Sequence, residues 1–193
     1  MSSSRRPRSP TRLALAILAF SLVSSALIGI PIILLGDFDE TEIRVLATAG
    51  SVAGFSILAL PSLFHFERAR YTYLTWLGIP STLALFTMVL FGIWSGNVLG
   101  GETFGKTLGS VGATAFATNH ALLLLIPTTT KILISLCQWA TILIIAIVCV
   151  LILGIIWTEE MPDMMMRLFG ALGVLDALGT VLIPVLVKTL RPR

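Results

Sequence analysis

Residues 107–126, TLGSVGATAFATNHALLLLI, decide the fold of this chain. A helix needs about 20 predominantly apolar residues to cross a bilayer. The segment has the length, but Ser, Thr and Gly dilute it, and Asn119 and His120 stand inside it. Hydropathy alone leaves it ambiguous. If it spans, the chain has six transmembrane helices; if it does not, five.

The neighbouring segments are clearer. Residues 13–35, 45–64, 73–94 and 132–157 are uncharged apolar runs of spanning length, and 168–187 is a fifth with one acid, Asp176, near its middle. Composition agrees: 56% of the 193 residues are hydrophobic and 12% charged, where soluble domains have about a quarter charged. Lipid must therefore be the solvent for much of this surface.

Loop charges choose between the two counts. With six spans and the N-terminus inside, the inner segments hold ten basic residues and one acid, Glu67. The outer segments hold three basic residues, Arg44, Lys106 and Arg167, and eight acids, among them Asp37, Asp39, Glu40, Glu42 and Glu102. That asymmetry is the positive-inside pattern. Five spans would place Lys188, Arg191 and Arg193 outside and break it. The sequence thus predicts an all-α integral membrane bundle of six helices, 13–35, 45–64, 73–94, 107–126, 132–157 and 168–187. A disordered basic N-terminus, 1–12, precedes it, a tail, 189–193, follows, and both ends are cytoplasmic. A secretory signal is the alternative for the first run, but its 23 uncharged residues exceed a signal core.

An internal repeat orders the six helices as three sequential hairpins. Arg44, Gly50 and Pro61 recur as Arg167, Gly173 and Pro184 at the same offsets, and Lys106, Gly112 and Pro127 follow with four residues inserted before the proline. Acids precede each basic residue. Asp39 and Glu42 also have capping-box spacing, so topology and capping explain the acidic cluster 37–42 better than a bound cation does.

Inside the bilayer, polar groups are few. Counted back from their prolines, Asn119 and Asp176 share one level and His120 lies one residue from it. A carboxylate in lipid needs a partner or stays protonated. The expected partner of Asp176 is His120 or Asn119, with Gly173 and Ala177 letting the fourth and sixth helices approach. Either a structural clasp or a proton or ion site follows. Gln138 is expected to reach the inner interface. The fifth helix, rich in large aliphatic side chains, is expected to be the most lipid-exposed.

Other chemistry finds little support. The proline ruler separates His65 and His120 by roughly 16 Å of helix rise, too far for one haem. There is one intramembrane carboxylate, where an aspartyl protease needs two, and no zinc helix, phosphate loop or dinucleotide fingerprint. Cys137 and Cys149 lie about 18 Å apart along one helix, too far for a disulfide, and read as small apolar residues. No cofactor, metal or catalytic residue is expected.

Three pieces, IRVLATAGSVAG, LGSVGATAFATNHALLLL and RLFGALGVLDALGTVLIPVL, resemble uncharacterised prokaryotic membrane proteins built of three such hairpins. The resemblance implies the fold and no activity. The expected protein is a non-enzymatic structural or accessory component of the plasma (inner) membrane. Its expected partners are the lipid bilayer and a membrane protein or second copy of itself, not nucleic acid. The alternative is a small transporter or channel using Asp176 and His120.

Overall fold

The computed structural model describes residues 10–35, 39–95, 101–128, 131–159 and 162–189. The remainder of the polar N-terminus, Asp37, Gly96, Glu160 and the tail from 190 lie outside the described residues. Six helices account for the described secondary structure: α1 (Pro10–Leu35), α2 (Glu40–Glu67), α3 (Thr72–Trp94), α4 (Glu102–Leu124), α5 (Ile132–Thr158) and α6 (Asp163–Thr189). Five of them are long and apolar enough to cross a membrane, and α4 is not among these. The five start up to five residues before the apolar runs, because the polar residues at each end continue the helix.

Local chemistry sets several ends. Asp39 caps α2, its Oδ1 accepting from the Glu42 N–H at 2.7 Å, as the spacing of the two acids predicts. The α4 helix stops at Leu124, three residues before Pro127, since proline disfavours helical backbone in the residue before it. Pro61 and Pro184 lie within their helices. The turn between α2 and α3 is tight, with Ala69 and Tyr71 both at φ 50°, left-handed backbone that costs a residue bearing a Cβ.

Each helix packs on the next in sequence, and α2 also touches α4. Hydrogen bonds fix the directions. The Thr11 N–H at the start of α1 donates to Glu67 at the end of α2, at 2.6 Å. Trp94, ending α3, donates its indole N–H to Thr48 near the start of α2, at 3.0 Å. Trp157, near the end of α5, donates likewise to Ser110 near the start of α4, at 3.1 Å. These pairs therefore run antiparallel, and α2 and α4, joined from Ser62 to Asn119 and from His65 to Leu122, run parallel.

The two indole latches extend the repeat. Thr48 and Ser110 each stand four residues after the basic residue, Arg44 or Lys106. Each basic residue in turn pairs with an acid four residues earlier, Arg44 with Glu40 at 2.5 Å and Lys106 with Glu102 at 2.6 Å. In α6 the corresponding positions are Asp163, Arg167 and Ala171, and Ala171 has no hydroxyl to accept a latch.

Burial corrects one expectation. The α6 helix is more exposed than α5, with Ile183 its one buried residue. The α5 helix buries Ile134, Gln138, Thr141 and Ile145 because it is clasped between α4 and α6. Aliphatic composition makes a helix compatible with lipid; its place in the bundle decides how much lipid it meets.

Lys106 also reaches Glu159 beyond the end of α5, at 2.5 Å, so one ammonium ties the start of α4 to the end of α5. Lys106, and then Glu159, hold the Glu102 carboxyl below its ordinary value, and Glu102 and Glu159 hold the Lys106 ammonium above its own. The depressed carboxylate stabilises the fold above the ordinary carboxylate pKa, and this is lost as pH falls through its folded value. The raised ammonium stabilises the fold below the ordinary lysine pKa, and this is lost as pH rises through its folded value. Lys106→Gln is therefore expected to flatten the pH dependence of the thermal midpoint at both extremes. A variant that keeps the wild-type profile at both ends would show that the clip contributes nothing.

Candidate functional site

Two polar centres occupy the interior, and the sequence reading had merged them. The first joins α2, α3 and α4. Asn119 is 2% exposed and Ser62 is fully buried. The Ser62 hydroxyl donates to Asn119 Oδ1 at 2.6 Å, and Asn119 Nδ2 donates to Thr82 Oγ1 and to the Ala115 carbonyl, each at 2.9 Å. Asn119 thus satisfies an acceptor and both amide hydrogens within the bundle. Gly78 makes the approach possible: a Cβ there would fall 2.3 Å from Ser62 Oγ. Asn119 therefore does not serve Asp176. It turns toward α2 and α3, about 100° around α4 from His120.

One turn further along, His65 is 1% exposed and its Nε2 lies 3.0 Å from the Leu122 carbonyl. A carbonyl only accepts, so Nε2 carries the hydrogen and donates. Nδ1 has no partner. This contact also corrects the depth estimate. His65 stands level with Leu122, two residues from His120, or about 3 Å of rise. The proline ruler failed because Pro61, one residue before Ser62, stands level with residue 118 of α4 and not with Pro127. The two histidines still face different helices.

The second centre contains Asp176 and His120. His120 Nε2 and Thr180 Oγ1 of α6 share a hydrogen bond of 3.0 Å, and His120 Nδ1 stands 3.7 Å from Asp176 Oδ2. That separation is an ion-pair distance and too long for a direct hydrogen bond. Asp176 Oδ1 is buried without a hydrogen-bond partner. The two side chains are 32% and 24% exposed. They edge a groove of about 380 Å³ whose walls come from α2, α4 and α5, including Ile57, Phe116, Val148 and Cys149. The structure therefore brings Asp176 to His120, while Asn119, which also lines this groove, bonds to α2 and α3 instead.

The small residues of α6 act differently from the expectation. A Cβ on Gly173 would meet nothing within 4 Å, and Ala177 is exposed. The close approach is at Gly179, where a Cβ would fall 2.1 Å from Thr141 Oγ1 and 3.0 Å from Thr141 Cβ. It joins α6 to α5, not to α4. Gln138 does not reach the interface either. It is 5% exposed, and its amide donates to the Leu124 and Pro127 carbonyls at 2.8 and 3.0 Å, capping the broken end of α4 from the next helix.

Ser62, Thr82 and Gln138 were missed as site-forming residues. The signal for the first two is a spacing: Ser62 and His65 are three apart, and Thr75, Gly78 and Thr82 fall at helical intervals of three and four, as do Ala115, Thr118, Asn119 and Leu122, so each set lies on one face. Among the described residues no three His, Cys, Asp or Glu side chains group to hold a metal ion. Comparison with protein families, with curated proteins and with solved structures finds no match.

Proposed function

We propose that the chain is a six-span protein of the plasma (inner) membrane, folded as three sequential hairpins with both ends cytoplasmic, and that it is a non-enzymatic structural or accessory component. The loop charges support α4 as the sixth span, although it is the least apolar helix. Two of its polar residues face protein: Thr118 and Asn119 are buried against neighbours. A helix shielded in this way does not need the hydropathy of one that meets lipid.

The observation that carries the accessory reading is the closed hydrogen-bond set of Ser62, Asn119 and Thr82. It ties three helices together and spends its polar groups on one another. A transport path would instead present polar groups to a passing solute.

A second reading, a small transporter or channel, draws on the groove reaching Asp176 and His120. Reconstitution into liposomes loaded with a pH-sensitive dye separates the two. The accessory reading expects no proton flux above that of empty liposomes, and Asp176→Asn to change nothing. Flux that Asp176→Asn abolishes would replace it with the second reading.

A further inference from the structure

The turn between α2 and α3 holds a pocket that neither reading uses. It encloses about 140 Å³ and is lined by His65, Phe66, Ala69, Arg70, Thr72, Thr75 and Trp76. That is several times the roughly 30 Å³ share of one water. Three features give it one electrostatic sign. Arg70 forms part of the wall, and Arg68, also exposed, lies over the Phe64 ring at 3.9 Å. The N-terminus of α3 opens beside it, and no side chain caps that end. Uncapped first-turn N–H groups and the helix dipole favour an anion.

His65 supplies an independent sign that a ligand belongs here. The ring is 1% exposed, Nε2 is committed to Leu122, and Nδ1 is buried without a partner. A buried polar atom of this kind costs stability until something bonds to it. His65 lines the pocket, and a small shift of that wall would let a phosphate bearing a hydroxylated head bond Nδ1 either way: its hydroxyl donates to a neutral Nδ1, or its oxygen accepts from a protonated one. The backbone invests in the same place, for the two left-handed residues, Ala69 and Tyr71, shape this turn. Trp76 and Tyr73 are exposed just beyond, where amphipathic rings mark the headgroup level of a bilayer.

We propose that Arg70, the open N-terminus of α3 and His65 form a phosphate site, and that its occupant is the headgroup of an anionic phospholipid. Arginines near an anionic leaflet attract such lipids in any membrane protein. The pocket differs in offering a fixed set of donors around one phosphate. The phosphate chemistry does not depend on the accessory or transporter reading.

The test uses the full chain purified in a neutral detergent, mixed with equal amounts of phosphatidylglycerol and phosphatidylcholine and examined by native mass spectrometry. Phosphatidylglycerol adducts should exceed phosphatidylcholine adducts, and Arg70→Gln should cut that preference about fivefold, the factor expected from one basic side chain. Arg167→Gln, before the exposed face of α6, should leave the preference intact. Equal retention of the two lipids, or equal loss in both variants, would overturn the proposal, the second by showing diffuse attraction. Displacement of the lipid by millimolar inorganic phosphate would keep the phosphate site and overturn its assignment to lipid.

Discussion

Gly179→Ala should lower the thermal midpoint of the detergent-solubilised protein by about 3 to 6 °C, while Gly173→Ala should not lower it and gains up to about 3 °C from helix propensity. The new Cβ would stand 3.0 Å from Thr141 Cβ, an atom that no rotamer change can move, and 2.1 Å from Thr141 Oγ1. Either α5 and α6 separate or their backbones shift. Overpacking of this kind costs about 2 kcal/mol, and a chain of this length loses about 3 °C per kcal/mol. Alanine's better helix propensity offsets up to about 1 kcal/mol of this, so the net change remains a loss. Thr141→Ala removes the obstructing hydroxyl and methyl groups, and the double variant Gly179→Ala/Thr141→Ala should recover most of the loss. A midpoint within 1 °C of wild type for Gly179→Ala alone, by scanning fluorimetry, would mean that α6 is not held by this contact.

The contact matters because α6 is otherwise lightly attached. Ile183 is its one buried residue, and its polar links to α4 are His120 with Thr180 and with Asp176. Gly179 precedes Thr180 directly. Pushing α6 away from α5 therefore also disturbs the centre containing Asp176, and any function that uses the carboxylate should weaken with the same variant.

Much of the helical architecture was legible in the sequence, and the interior was legible in part, for separable physical reasons. Helix positions follow from apolar run length and from capping chemistry such as that of Asp39, both local properties. The meeting of Asp176 with His120 follows from similar distances to Pro184 and Pro127, eight residues and seven. The same ruler misplaced α2 against α4: Ser62 and His65 meet Asn119 and Leu122, so Pro61 stands level with residue 118 and not with Pro127. Asn119 and His120 both qualified as partners of Asp176 because depth fixes a level, not an azimuth, and residues 119 and 120 point about 100° apart. Gly173 looked like a packing residue because glycine permits close approach; only the bundle's arrangement shows that nothing approaches it. Gln138 looked interfacial because the break in α4 that needs its amide is not local to Gln138.

Asn119→Leu is expected to be the most damaging single change in the bundle, lowering the midpoint by about 10 °C. Leucine has a similar reach, so the change removes polarity more than volume. It deletes three hydrogen bonds, each worth about 0.6 to 1.7 kcal/mol between helices in a membrane protein. It also leaves the Ser62 and Thr82 hydroxyls against an apolar side chain. Each hydroxyl can fall back on a carbonyl of its own helix, as Ser56 and Ser81 do at 2.7 Å. The net loss should therefore be about 3 kcal/mol. The fallback gives the prediction its internal control. Ser62→Ala removes only the bond to Oδ1 and should cost about a third as much. In the double variant Ser62→Ala/Asn119→Leu the serine's loss should vanish, because its partner is already gone. Strict additivity of the two losses would show that Ser62 and Asn119 do not act as a pair and would remove the closed polar set on which the accessory reading rests.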